Sequence, residues 1–399
     1  MALFDPTRHY PLVEIDWDDN KVQQAITAIA TETIIQLQRQ PSLSGHPMDD
    51  HEFGTDLYFG KVGVLWTIHY LQTVGAIDST FDVATHLAAT LEQNRQDYSH
   101  HSPYPQQSSY LFGELPLLLL QYKLSPGDDK ANQIAESIHK NDSQPVRELM
   151  WGMAGSMLAA YFMHQWTQAP RWQEIFKAQT ALLLREWQPI KGAGYLWTID
   201  LYGSQRKYLG PVHGFASNLV PLLVGRSLLS DEEFAEIAAK AMATVVQTAV
   251  TDNNGANWPA VYQAAHSTNL KLVQYCHGAA GMVTALATLP QGMNEECDRI
   301  LEQGGELTWR AGPLKKGSNL CHGTGGNGYA FLKLFIRTGN QLWLDRARAF
   351  AMHAIEQYRL SQKTYGQLRY PLWTGDLGLA VYLWDCLQAQ AQFPTVDVF

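Results

Sequence analysis

The chain has little cysteine, little charge and no long apolar run, and each shortage excludes something. Four cysteines in 399 residues do not make a disulfide framework, so a cysteine cluster points to thiolate chemistry or metal binding. Charged residues are 17% of the chain, which implies a large interior, and 38 acidic against 29 basic residues give a net charge of −9. With no excess of Lys and Arg to neutralise phosphates, no nucleic-acid partner is expected. Purely aliphatic runs are no longer than Leu117–Leu120, far short of the about 20 apolar residues that span a bilayer. The opening MALFDPTRHYPLVEIDWDD turns acidic early and lacks the basic-then-apolar pattern of an export signal. A cytoplasmic protein without an integral membrane segment is the expectation.

What the chain does have is glycine in a recurring place. YCHGAAG at Tyr275–Gly281 and LCHGTGG at Leu320–Gly326 share a Gly-x-x-Gly core. Further copies are FGKVG, FGELP, WGMAG, HGFAS and TGDLG, with first glycines at 60, 113, 152, 214 and 375. The seven copies are 39 to 64 residues apart, and Pro116 and Ser217 replace the second glycine in two of them. Unequal gaps hide the repeat from a fixed-period search, but the pattern is that of a repeat architecture.

An apolar, helix-like run follows the motifs, as in VLWTIHYL, SMLAAYFM and LAVYLW, apolar nearly all round and therefore buried on both sides. Amphipathic segments alternate with these runs near residues 21–39, 80–96, 128–140, 170–187, 233–250, 293–309 and 341–360. Fourteen helices in seven hairpins predict an all-α fold: a double α/α toroid spanning 1–399 as one domain, with buried helices inside and amphipathic ones outside. An open solenoid of the same hairpins is the alternative. If the inner helices run parallel, the residues one and two places before each first glycine meet in a basin at one end of the axis.

Cys276 and Cys321 occupy the same place, two residues before a first glycine, in adjacent repeats; His277 and His322 follow them, and His213 stands in the corresponding place of the fourth repeat. Two thiolates and the His322 imidazole suit Zn²⁺ and leave a fourth tetrahedral position for water or substrate. The bland reading is that buried cysteines are small core residues, which suits Cys297 and Cys386 in mid-helix. Trp66, Tyr161, Tyr329 and Trp384 read as inner-helix packing rather than as a binding platform.

Seven such repeats with YCHG and CHG in the fifth and sixth resemble the LanC family of lanthipeptide cyclases and LanC-like proteins, over essentially the whole chain. The resemblance implies a double seven-helix toroid with zinc held by Cys276, Cys321 and His322. It implies that His213 is the acid/base, and that Glu148, four places before the third repeat's first glycine, is functional. Glu148 can equally stabilise a helix N-terminus. The stretch LKKGSNLCHGTGGNGYAFL is similar to the eukaryotic-type LanC-like proteins, in which the lysine matching Lys316 contacts glutathione. A solvated pair of Lys315 and Lys316 is the plain alternative. His277 stands where many of the cyclases carry Tyr, and is counted with Lys316 among the substrate-binding candidates.

The implied activity is addition of the glutathione thiol to dehydroalanine or dehydrobutyrine in peptides or proteins. The cyclases instead close lanthionine rings from a peptide's own Cys, and a non-catalytic zinc- and glutathione-binding scaffold is a third reading. A free thiol has a pKa of about 8.5, so either addition needs a means of making thiolate at neutral pH. Zinc prenyltransferases and sugar-active toroids use carboxylates, whereas the converging places here hold His and Cys.

Overall fold

A computed structural model describes residues 2–13, 15–40, 43–49, 53–101, 108–263 and 270–399. Among the described residues, seven outer helices alternate with seven inner ones. The outer helices are α1 (Asp19–Arg39), α3 (Val83–His101), α5 (Asp128–Lys140), α7 (Pro170–Arg185), α9 (Asp231–Thr248), α11 (Glu295–Ala311) and α13 (Gln341–Tyr365). The inner helices are α2 (Lys61–Thr73), α4 (Leu115–Leu124), α6 (Met153–Thr167), α8 (Phe215–Val224), α10 (Ala279–Leu286), α12 (Thr324–Thr338) and α14 (Asp376–Gln388). Each inner helix packs on the next, and α14 returns to α2. The ring is closed, a double α/α toroid rather than an open solenoid. Helix α1 packs on α13 and α14, so the first outer helix covers the seam left by the last inner one.

The glycine motif sets every inner helix on its way. Gly60, Gly152, Gly214, Gly278, Gly323 and Gly375 are N-caps, and none uses a side chain to cap. Before α2, α8 and α12 the loop folds back and does the capping with its main chain, whereas in α10 the Asn257 side chain accepts from the Ala279 amide at 2.8 Å. In α12 the amides of Thr324, Gly325 and Gly326 donate to the carbonyls of Gly317, Ser318 and Asn319 at 2.8, 3.0 and 3.2 Å; α2 and α8 repeat the arrangement. The otherwise unsatisfied N–H groups of a helix start are thereby met. Such a loop needs a bare Cα beside it. A Cβ on Gly326 would stand 1.7 Å from the Leu320 carbonyl oxygen, and one on Gly281 1.7 Å from that of Tyr275.

Three hairpins interrupt the helical plan: β1–β2 (Gln188–Ile190 with Gly194–Leu196), β3–β4 (Ile199–Leu201 with Ser204–Arg206) and β5–β6 (Val250–Asp252 with Gly255–Asn257). They fill the loops before α8 and α10, the two longest intervals between motifs. The chain after α14 turns into the ring: Phe393 stacks on Tyr275 at 4.2 Å, and Val396 and Phe399 are buried. The interior is therefore packed, with the motif loops gathered above it. Trp66 and Tyr329 are buried in that packing as their inner-helix positions imply.

A second regularity lies four residues before the first glycine, where a side-chain oxygen accepts from the amide three residues on. Asp56 takes Phe59 at 2.6 Å, Ser109 takes Phe112 at 3.0 Å, Glu148 takes Trp151 at 2.6 Å and Asn319 takes His322 at 3.0 Å. Asp56 does this while fully enclosed, and burial pushes its carboxyl from an ordinary 3.8 up to about 7, against the opposing pull of the amides. Between those pH values the folded protein holds a proton that the unfolded chain has lost. The stability this contributes is present below about pH 4 and lost as pH rises through about 7. Asp56→Asn, which copies Asn319, is expected to gain on the parent by roughly 2–3 kcal/mol between pH 5 and pH 8. Urea melts of both proteins at the two pH values measure it.

Candidate metal and proton-transfer site

Same-place residues become neighbours because the motif loops are hydrogen-bonded to one another. The Cys276 amide donates to the Cys321 carbonyl at 3.0 Å and the Cys321 amide to the Trp373 carbonyl at 2.8 Å. On the other side of the ring, Tyr58 donates to Leu111 at 3.1 Å and Leu111 to Met150 at 3.2 Å. All of these stand two residues before a first glycine. Two cysteines 45 positions apart in sequence are thus joined by a single main-chain hydrogen bond.

The two sulfurs and a His322 ring nitrogen lie within 4.8 Å of one another, a group that could hold a metal ion. The donor set fits a borderline-soft cation: two sulfurs and one imidazole nitrogen, with no carboxylate among them. The Cys276 thiol lies well below the ordinary thiol range, chiefly because Cys321 donates a hydrogen bond to it, with His322 adding to the effect and burial opposing. Each sulfur also receives one donor from elsewhere. Tyr58 Oη–H donates to Cys321 Sγ at 2.7 Å and Gln274 Nε2–H to Cys276 Sγ at 2.9 Å. Burial, reinforced by the nearby sulfurs, raises the Tyr58 phenol well above its usual range, so it remains a donor. Cys297 and Cys386, by contrast, are buried in the core, and burial pushes the Cys297 thiol up to about 12.

His213 and Glu148 form a separate pair. Nδ1 of His213 lies 3.1 Å from Glu148 Oε2, with the imidazole 15% exposed and the carboxylate wholly buried. The Glu148 oxygens also accept from the amides of Met150 at 2.8 Å and Trp151 at 2.6 Å. Glu148 braces the turn before α6, as Asp56 and Asn319 brace theirs, and it also reaches an imidazole. Because a carboxylate accepts, the proton on this side of the ring sits on Nδ1, which leaves Nε2 to exchange protons. The exposed Tyr202, at the tip of β3–β4, packs edge-on against His213 at 5.9 Å and accepts from Trp151 Nε1 at 3.2 Å.

The remaining candidates lie between and beside these groups. His277 feels both Cys276 and His213; burial holds its imidazole below the ordinary range, and its Nδ1 has no hydrogen-bond partner among the described residues. Lys316 stands apart from the sulfurs. It lines a cavity of about 420 Å³ with Tyr10, Lys315, Asn319 and Leu360, between the loop before α12 and the outer helix α13. The Cys276, Cys321 and His322 side chains do not line that cavity. The hydrogen bond to Cys276 and burial raise the Cys321 thiol well above its ordinary range, and Tyr58 and the Lys316 charge oppose this. Tyr58 and Gln274 were missed from the sequence. Tyr58 shares the cysteines' place in the first repeat, so the signal was there, but tyrosine is not an obvious ligand.

Glu148→Ala is expected to cost about 1–3 kcal/mol, since two buried amides lose their acceptor. It is also expected to release His213 into a mixture of tautomers, whereas the parent keeps the proton on Nδ1. Nitrogen-15 shifts of the imidazole read the second effect separately from the first.

Residues 17–398 match the Lanthionine synthetase C-like protein family. The chain is 28% identical over 276 residues to Glutathione S-transferase LANCL1 of Danio rerio, covering 67% of this chain and 65% of that one. It is 38% identical over 137 residues to LanC-like protein GCL1 of Arabidopsis thaliana, covering 32% and 31%. The chain thus spans 65% and 31% of the length of these two relatives. Nisin cyclase has the same fold, with a TM-score of 0.58 at 13% identity over 90% of this chain and 98% of that one. No helix among the described residues is long and apolar enough to cross a membrane. With its ring of seven hairpins and a family match over nearly its whole length, the chain belongs to the lanthionine synthetase C-like family.

Proposed function

We propose that this protein, acting as one domain over 1–399, is a zinc-dependent enzyme. It adds the thiol of glutathione across the Cα=Cβ bond of dehydroalanine or dehydrobutyrine residues in peptides or proteins. The observation that carries this reading is the convergence of Cys276, Cys321 and His322, beside a histidine held by a buried carboxylate. The relationship to a protein named Glutathione S-transferase supports glutathione as the thiol. A cytoplasmic location, where thiols stay reduced, completes it.

Zinc held by Cys276, Cys321 and His322 would supply an open position at which an incoming thiol loses its proton near neutral pH. His213 Nε2 takes up that proton, and the Glu148 carboxylate stabilises the imidazolium through Nδ1. The thiolate sulfur then forms a bond to the β-carbon, the π pair moves toward the α-carbon, and His213 returns its proton there. Atoms balance: one S–H and one C=C π bond are replaced by one S–C and one C–H bond. His277, beside Cys276, and Lys316, which offers its ammonium to a carboxylate of glutathione, serve as the substrate-binding residues.

Two protein thiolates beside a Michael acceptor raise a selectivity problem, since either could add to it. Tyr58 and Gln274 answer it by donating to the protein sulfurs, which draws electron density from them. In the zinc-loaded protein, where both cysteines are held as thiolates, Tyr58→Phe is expected to speed alkylation of Cys321 by N-ethylmaleimide about fivefold, the effect of losing a hydrogen bond worth about 1 kcal/mol. Peptide mass spectrometry over time measures this rate.

The function itself is tested by incubating the protein with a dehydroalanine peptide that also contains Cys, with and without glutathione. Mass spectrometry should find the glutathione adduct. A product of unchanged mass that has lost its free thiol would instead mean ring closure. Metal analysis should find about one zinc per chain. Cys276→Ala and Cys321→Ala should lose both metal and activity, whereas His213→Ala should keep the metal and slow by on the order of 100-fold or more. Absence of zinc from the purified parent protein would end the proposal.

A further inference from the structure

The place one residue before each first glycine reads, in ring order, Phe59, Phe112, Trp151, His213, His277, His322 and Thr374. Three successive aromatic residues are followed by three successive histidines. The histidines all have work in the reading above; the aromatics have none. They differ from the aromatics of the inner helices, where Trp66 and Tyr329 are buried almost completely, because Phe59, Phe112 and Trp151 are each half-buried. Phe112 and Trp151 stack with centroids 4.4 Å apart and planes 9° from parallel, and Phe59 packs on Phe112 at 5.7 Å.

This aromatic arc is joined to the chemistry at both ends. Trp151 donates to Tyr202, whose ring rests against His213. At the other end Phe59 packs on Tyr58 at 4.5 Å, and Tyr58 holds the Cys321 sulfur. The arc thus adjoins the surroundings of both the proton-transfer histidine, through Tyr202, and the sulfur site, through Tyr58, so an acceptor that reaches both groups can lie against it. It carries no charged side chain. The charged side of the site lies elsewhere, at Lys315 and Lys316 beside the cavity before α12.

Complementarity then separates the two substrates. Glutathione carries two carboxylates and an ammonium and no aromatic group, so it suits the lysine side. A dehydroamino-acid residue is a flat, uncharged, conjugated enamide, and such a group gains most from an aromatic face. We propose that Phe59, Phe112 and Trp151 form the acceptor subsite, which binds the planar dehydroamino-acid residue together with an apolar or aromatic neighbour in the same peptide. Peptides flanked by such residues are then preferred over glycine-flanked or acidic ones. This inference rests on the thiol-addition reading above.

The test uses the full-length, zinc-loaded protein and two fluorescein-labelled dehydroalanine peptides, one with Phe beside the dehydro residue and one with Gly. Binding by fluorescence anisotropy and steady-state kinetics with glutathione are measured for the parent, Phe112→Ala, Phe112→Leu and Trp151→Phe. The parent should bind the Phe-flanked peptide about fivefold or more tightly than the Gly-flanked one. Phe112→Ala should erase that preference and raise KM for the Phe-flanked peptide by a similar factor, with zinc content and KM for glutathione moving less than twofold. Phe112→Leu, apolar but not flat, should recover only part of the preference, and Trp151→Phe most of it. Equal weakening toward both peptides, or a parent with no preference, overturns the subsite. If the parent forms no adduct or lacks zinc, the functional reading has failed, and the anisotropy comparison still decides whether the arc binds flat apolar acceptors.

Discussion

The functional end of this toroid depends on a main-chain contact: the loops before α2, α8 and α12 fold back so that their carbonyls receive the helix's first amides. That contact leaves no room for a Cβ at Gly281 or Gly326, which is why the second glycine recurs. It also frees the side chains just before each helix from capping duty. They point toward the common end of the ring instead, and the interloop hydrogen bonds at Tyr58, Leu111, Cys276 and Cys321 hold them in register. A site built this way needs no local motif, because the ring brings one residue per repeat to the same level.

Burial then assigns chemical character to those side chains. An enclosed phenol at Tyr58 stays protonated and can only donate to a sulfur, whereas an enclosed pair of thiols shares its protons and favours a thiolate at Cys276. The same low-dielectric surroundings make the Glu148 contacts matter. A wholly buried carboxylate with two amides and an imidazole around it is satisfied, and removing any partner would leave a costly orphan. Charge is also divided around the basin. The first three repeats place aromatic residues where the fourth to sixth place imidazoles, and Lys315 and Lys316 line the flanking cavity.

Much of this was legible in the chain because glycine marks the repeat and because a residue's offset from that glycine is conserved by the geometry. Cys276, Cys321 and His322 could be grouped on offset alone, and the seven amphipathic helices fall within a few residues of their predicted spans. The hairpins before α8 and α10 escaped, since three-residue strands carry too little alternation to stand out beside helices. Tyr58 and Gln274 escaped because their significance lies in the partner, and the partner of Tyr58 is 263 positions away. For Glu148 the sequence offered a helix-start brace and a functional carboxylate as alternatives, and could not show that one side chain reaches both the turn and His213. Its offset predicts the turn it braces, but only its extra methylene compared with Asp56, and the position of a loop 65 residues on, let it reach His213.

The amino-acid sequence by itself determined the repeat, the alternation of buried and amphipathic helices and the identity of the donor atoms, because these follow from local periodicity and residue type. Only the tertiary structure decided that the ring closes through α14 on α2, that Lys316 lies in a neighbouring cavity, and that two phenylalanines and a tryptophan share a level with three histidines. Distances between side chains from different repeats depend on helix packing and on loop-to-loop hydrogen bonds, and no local pattern encodes either.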